Sequence, residues 1–252
     1  MGNAKFSGPS LKALLEKAGV KDTGKHVQFR GLDILTGHVP PFVRSIPIEK
    51  AADGDTLIAT HMNGAALTPH HGFPARAVTP GWVGAASCKW LTEITVLGKP
   101  AEGNFMSPGY RMPNTPVKPG DPAKPEDTHS LAALTVNSTI AAPSDGAKIR
   151  PTTKSGAHVI QGAAWAGEAD IIKVEISTDG GDSWKSAKLG EDHAKYAWRL
   201  WSYAWKPAKS GDYVILSRAT DSQGRVQPDA AVWNPSGYLN NACDHVKVYV
   251  QA

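Results

Sequence analysis

The 252-residue sequence holds only two cysteines, Cys88 and Cys243. Two thiols form neither a disulfide framework nor a zinc pattern, and their spacing does not decide whether they bridge. No Cys-x-x-Cys-His occurs, so haem attached through that motif is not expected. No run of about 18 apolar residues occurs, so no membrane span is expected. No block of Lys or Arg occurs, and the net charge is only +4, so nucleic-acid binding is not expected either. The residues after Met1 read directly as domain sequence, with no signal peptide, and the compartment is not set by the residues themselves. What the chain has in quantity is 25 Gly and 19 Pro, which favours turn-rich β structure over helix. A hydrophobic share of 41% and a charged share of 20% are those of a globular protein, at a length that suits two domains.

Residues 7–19 are predicted as a helix capped by Ser7 or Gly8, with Pro9 in the first turn, Leu11, Leu14, Leu15 and Ala18 at helical spacing, and Gly19 as the stop. Residues 25–30 alternate as a strand, with 31–33 leaving it as a loop. Residues 45–52 are predicted as a short helix, and 57–62 as a strand before the Asn63-Gly64 turn. Two more strands, 73–79 and 89–97, flank the Pro80-Gly81 turn. Residues 98–133 are proline-rich with little periodicity and read as an extended connector. Beyond them strands recur at 134–140, 158–164, 171–177, 197–204, 212–219 and 245–250, the spacing of a β-sandwich. The run from Ser177 to Trp184 is predicted as a hairpin turn, with Asp179 accepting from backbone N–H groups and the glycines at positive φ. In the strand Trp198 to Trp205, alternation places Trp198, Leu200, Ser202 and Ala204 on one face, and Arg199, Trp201, Tyr203 and Trp205 on the other. Large aromatics on both faces predict that both are covered, by sandwich core or by another subunit.

Chemistry concentrates between His70 and Trp90. This stretch sets histidine, Arg76 and Lys89 among glycines, prolines and small apolar residues, so turns bring backbone N–H groups and cations together. That combination suits a large anionic ligand with polar edges. The wording His71-Gly72-Phe73-Pro74-x-Arg76, then Pro80-Gly81, then Gly84-Ala85-x-x-x-Lys89-Trp90-Leu91, resembles the molybdopterin-binding segment of the sulfite oxidase family. A second segment, Val226-Gln227-Pro228 followed by Trp233-Asn234-Pro235-Ser236-Gly237 and Asn241, resembles the end of that family's dimerisation domain.

The resemblance implies an α+β molybdopterin-binding domain, present in part over 1–104, a Pro-rich connector over 105–133, and an all-β immunoglobulin-like sandwich over 134–252. It implies that His71 and Arg76 bind the pyranopterin and its phosphate, that Asp33 bonds the pterin, and that Ser87, Cys88 and Lys89 line the same ligand. Arginine offers a planar fork to phosphate, and lysine a point charge. It implies a molybdenum cofactor, sulfite oxidation to sulfate by oxygen-atom transfer, a homodimer through the sandwich, and cytochrome c as the electron acceptor. For a bacterial member it implies the periplasm. The family's metal thiolate comes from a segment upstream of the helix near Ser7. The expected metal ligands in this chain are therefore none, with Cys88 and Cys243 excluded. A truncated form, one half of a split enzyme with a companion chain carrying the N-terminal half, and a scaffold that has lost the chemistry all fit that pattern. The chain also departs from the animal and plant enzymes. Phe42 stands where they have a tyrosine, and Ser236 where they have an arginine. Arg44 is the candidate to replace that cation in the substrate pocket. A substrate other than sulfite, or a non-catalytic dimerising scaffold, are the alternatives.

Overall fold

Ser10, rather than Ser7 or Gly8, caps the first helix. Its side chain accepts from the Ala13 N–H at 3.2 Å, and the helix runs Leu11–Ala18. Gly8 serves packing instead: a Cβ there would lie 2.1 Å from the Ile58 carbonyl oxygen. The helix ends at Gly19 (φ +72°), whose N–H reaches back to the carbonyls of Glu16 and Leu15. Leu11 and Leu15 are buried on one face. The structure, a computed structural model, describes residues 2–33, 40–121, 124–151 and 156–251. It divides into two units by contact: residues 1–133 with 233–238, and residues 134–232 with 239–252.

In the first unit, the strand His26–Gly31 lies between Val43–Pro47 and Leu91–Leu97, antiparallel to both. Alternation buries Val27 and Phe29 against Leu11, Leu15, Ile46 and Ile58. The short helix covers Ile48–Ala51. The predicted strand over 57–62 is broken at Thr60, which bonds to Ser7 and Leu67 across the small sheet beside it, leaving Leu57–Ala59 and His61–Met62. Leu57–Ala59 pairs with Arg76–Val78, all that remains of the strand predicted over 73–79.

Residues 105–133 group with this first unit and hold structure of their own. Arg111–Pro113 pairs with Thr128–Ser130. The Arg111 guanidinium donates to the carbonyls of Met106 and Thr128 and to the hydroxyls of Thr128 and Ser130. Residues 122 and 123 of this stretch lie outside the described residues.

The second unit is an immunoglobulin-like sandwich. Its four-stranded sheet runs Asn137–Ala142, His158–Trp165, Arg199–Trp205, Lys188–Leu189; its five-stranded sheet runs Ala147–Ile149, Asp244–Val250, Gly211–Asp221, Ile171–Ser177, Lys185–Ser186. Ile160, Trp201, Trp205, Val174, Ile215 and Val248 fill the space between them. Gly162 is forced by its neighbours, since a Cβ there would lie 1.9 Å from the Thr139 carbonyl oxygen and 2.5 Å from the Trp201 indole. At the hairpin turn, Asp179 accepts from Ser183 N–H and from the hydroxyls of Ser177 and Ser183, which hold its carboxyl down at about 2. Gln227 is a buried hub. Its carbonyl oxygen accepts from Ser138 Oγ (2.8 Å) and Ala219 N (3.1 Å), and its amide donates to the Ala242 carbonyl (2.9 Å). Of the two faces of the tryptophan-rich strand, the one with Trp201 and Trp205 is core, whereas Leu200 on the other is 48% exposed. Among the described residues of the second unit, Leu200 and Ala204 on that other face are exposed, so the expectation that both faces are covered holds within this unit for one face only.

Candidate functional site

The segment Ala75–Val78 is held on both sides. Ala59 faces Arg76 in register on one side, while Ala77 N–H donates to the Cys88 carbonyl (2.8 Å) and Leu91 N–H to the Ala75 carbonyl (2.9 Å) on the other. This fixes the Cα of Arg76 and directs its side chain toward the turn at Pro69–His71. The guanidinium donates to the carbonyls of Ser87 (3.1 Å), His71 (3.2 Å) and Ala77 (3.5 Å), and lies over the Phe6 ring. Lys89 Nζ donates to the His70 carbonyl at 3.1 Å, 4.2 Å from the Trp90 ring centroid, and Trp90 Nε1 donates to the Pro69 carbonyl at 2.7 Å. His71 is exposed, with Nδ1 2.7 Å from Thr68 Oγ1.

Gly72 allows this convergence. It sits at φ +101°, and a Cβ there would lie 3.0 Å from Lys89 Cβ and 3.2 Å from Arg76 Cβ. The turn therefore brings two cations, with their donors on carbonyl oxygens, to one place with a histidine whose Nδ1 is on the Thr68 hydroxyl. None of the ion pairs among the described residues involves Arg76 or Lys89. Burial lowers the Arg76 pKa, with Cys88 the largest opposing influence. A half-buried cation held on carbonyl oxygens with no carboxylate paired to it can exchange those carbonyls for an anion.

The other predicted site residues sit differently. Ser87 Oγ accepts from Thr79 N–H (3.0 Å) and its carbonyl holds Arg76, so Ser87 shapes the cradle. Cys88 turns inward and is 1% exposed. Burial first, and Asp33 second, push its thiol up to about 12. Asp33 lies beside the same segment: a Cβ on Gly31 would come within 2.3 Å of Asp33 Oδ2 and 3.0 Å of the Lys89 carbonyl oxygen. Arg30, Asp33, Pro41 and Glu93 line an open concavity there of about 420 Å³.

Phe42 and Arg44 form a second cluster in the first unit. Phe42 packs on Phe105 (centroids 4.8 Å), Phe105 on Tyr110, and Tyr110 stacks on Tyr238 at 5.5 Å. Arg44 is 1% exposed, with its guanidinium over Tyr110. It donates to the carbonyls of Phe105 and Leu131 (the latter at 2.8 Å), and its Nε has no partner among the described residues. Ser236 is exposed in the segment Trp233–Tyr238, whose turn is closed by Asn234 bonding both the N–H and the carbonyl of Tyr238. Sequence reasoning missed Phe6, Phe105, Tyr110 and Tyr238. They are single aromatics without a local pattern, joined only by the fold.

The α+β unit that carries this cradle and the immunoglobulin-like sandwich after it both match domains of molybdopterin-dependent oxidoreductases. The family model "Oxidoreductase molybdopterin binding domain" matches residues 1–105, and "Mo-co oxidoreductase dimerisation domain" matches residues 128–251. The mitochondrial sulfite oxidase of Drosophila melanogaster is 36% identical over 99% of this chain and 46% of its own length. The sulfite oxidase of Arabidopsis thaliana is 30% identical over 98% of this chain and 67% of its own. The crystal structure of the sulfane dehydrogenase SoxCD from Paracoccus pantotrophus superposes with a TM-score of 0.81 at 29% identity, over 99% of this chain and 63% of that one. The chain belongs to the sulfite oxidase family of molybdenum-cofactor oxidoreductases. It spans about half the length of the animal relatives it matches.

Proposed function

We propose that this chain holds the pterin and phosphate of a molybdenum cofactor in a sulfite-oxidising enzyme. The observation that carries the reading is the Arg76–Lys89–His71 cradle, where donors rest on carbonyl oxygens with no carboxylate paired to either cation. The residues fit the group. Arg76 turns its fork from the carbonyls of His71 and Ser87 to phosphate oxygens, Lys89 adds a second charge, and His71 bonds the pterin edge. Asp33, beside the Lys89 backbone, accepts from pterin N–H groups. When bound, the cofactor supplies the two-electron oxygen-atom transfer that turns sulfite into sulfate. The chain's own part is to bind, orient and screen the ligand.

Neither thiol of this chain is the metal's ligand. The resemblance takes the metal's thiolate from a segment upstream of the helix Leu11–Ala18, and both thiols here turn inward, Cys88 at 1% and Cys243 at 6% exposure. The thiolate belongs to a segment beyond this chain, carried by the same polypeptide or a companion. Electrons pass to a separate acceptor such as a cytochrome c, and the sandwich makes the homodimer. Removing Arg76 (Arg76→Ala) is expected to abolish cofactor retention in the assembled protein, read as pterin and molybdenum per chain. Full occupancy in that variant would overturn the assignment.

Oxidation of another sulfur compound is the second reading. Arg44, the candidate replacement cation, has its guanidinium on two backbone carbonyls and is closed off from solvent. Phe42 and Ser236 then leave this chain's share of the pocket without the charge a sulfite dianion calls for. Steady-state rates with sulfite and with other reduced sulfur compounds separate the two.

A further inference from the structure

Trp90 stands in a conformation that its side chain resists. Its φ is +48°, in the left-handed region that bulky residues avoid and glycine takes freely. Backbone strain of this kind at a ligand site points to a use for the residue that bears it. The use is visible in where two neighbouring side chains go. In extended chain, Lys89 and Trp90 would point to opposite sides. The bend at these two residues lets both reach the same turn instead. Lys89 Nζ donates to the His70 carbonyl, and Trp90 Nε1 to the Pro69 carbonyl.

Three parts of the site meet at this one residue. The indole N–H, 2.7 Å from the Pro69 carbonyl oxygen, fastens the turn Pro69–His71 that carries His71. The ring lies 4.2 Å from Lys89 Nζ, measured to its centroid. The Trp90 carbonyl accepts from Leu32 N–H at 2.8 Å, next to Asp33. An ammonium has three protons. One proton of Lys89 is on the His70 carbonyl. The ring supports the charge without offering a carboxylate to neutralise it, so the other protons are left for a ligand. A lysine already seated on a ring also loses less rotamer freedom when an anion binds than one waving in water.

We infer that Trp90 is a positioning residue of the cofactor cradle, which seats Lys89 and the His71 turn before the ligand arrives. The inference rests on the reading of this cradle as a pterin and phosphate site. It adds a residue that acts through Lys89 and His71 rather than by its own contact with the ligand. The test is the rate at which pterin and molybdenum leave the assembled protein on dialysis. Trp90→Leu removes both the ring face and the N–H, and is expected to speed that loss at least about tenfold. Trp90→Phe keeps a ring for Lys89, and is expected to speed it only about threefold. The deciding comparison is made in a Lys89→Met chain. There the ring has no cation to seat, so Trp90→Leu is expected to add only the share of the N–H, about threefold. An equal effect of Trp90→Leu with and without Lys89 would mean that the indole merely supports the fold, and overturns the inference. A Lys89→Met chain that keeps its pterin as wild type does overturns it too. If Arg76→Ala keeps the cofactor in full, the reading of the site itself fails. If Arg76→Ala loses it while Trp90→Leu matches wild type, only the role of Trp90 fails. Should Trp90→Leu not fold, Trp90→Phe decides. Its pterin is expected to leave about threefold faster than that of wild type, and Lys89→Met is expected to cost as much in this chain as in the wild type. A departure from either overturns the inference.

Discussion

Arg44 and Arg76 make the same bonds and do different work. Both donate to backbone carbonyls, burial lowers the pKa of both, and neither has an ion pair with a carboxylate among the described residues. Arg44 is sealed. Its carbonyl partners belong to the segment after residue 104, so it fastens that segment to the strand Val43–Pro47. Arg76 is half-buried, and its partners are the turn at His71 and the segment at Ser87 that form the rim of a cradle. The lesson is that a buried arginine without an acid is not by itself an anion site. What separates the two is whether the guanidinium can exchange its carbonyls for a ligand.

The largest expected effect breaks the sealed side. Arg44→Ala strands the buried carbonyls of Phe105 and Leu131, at about 1–3 kcal/mol for each unsatisfied group, and leaves a cavity. Urea unfolding is expected to lose about 3 kcal/mol or more in the transition of the first unit. Arg76→Ala sharpens the contrast from the other side. It is expected to cost less than about 1 kcal/mol in the same measurement, since water replaces the lost donors, while abolishing cofactor retention through loss of charge-assisted bonds. Equal stability losses in the two variants would erase the distinction.

Gly72→Ala tests whether the cradle depends on close approach. The left-handed backbone at Gly72 and the 3.0 Å gap to Lys89 Cβ make a methyl costly. The expected result is a local loss of about 1–2 kcal/mol and a several-fold fall in pterin retention, with urea unfolding of the sandwich unchanged. Retention equal to wild type would mean that Lys89 and Arg76 need not converge.

The sequence showed the helix, the sandwich strands and the motif around Arg76, because each is a local pattern: period 3.6, period 2, or a string of turn residues. It did not show what distant backbone decides. Gly8 looks like a cap, yet the carbonyl of Ile58 explains it. Arg44 looks like a pocket cation until Phe105 and Leu131 are folded over it. The stretch after residue 104 looks like a connector because its order comes from Arg111 and Arg44, side chains bonding to backbone, and not from any hydrophobic period. Gln227 was visible only as part of a resemblance, and its role as a hub joins Ser138, Ala219 and Ala242.

The smallest expected effect concerns the cradle's floor. Burial moves the Cys88 thiol from its ordinary 9.0 up to about 12. An acid with a higher pKa in the folded state holds its proton more tightly there. The stability this gives is complete below the unfolded thiol's pKa, and is lost as pH climbs from there toward the folded value. Between about pH 8 and about pH 10 the wild type is therefore expected to lose about 1 kcal/mol relative to Cys88→Ala, whatever the difference at neutral pH. Cys243→Ala is expected to show the same drift in the sandwich, levelling nearer pH 11 because burial raises that thiol less. Urea titrations at three alkaline pH values read both. If wild type and Cys88→Ala stay parallel across that window, the thiol titrates alike folded and unfolded. Cys88 would then face water on the ligand's side of the segment, and the floor beneath Arg76 would be open rather than packed.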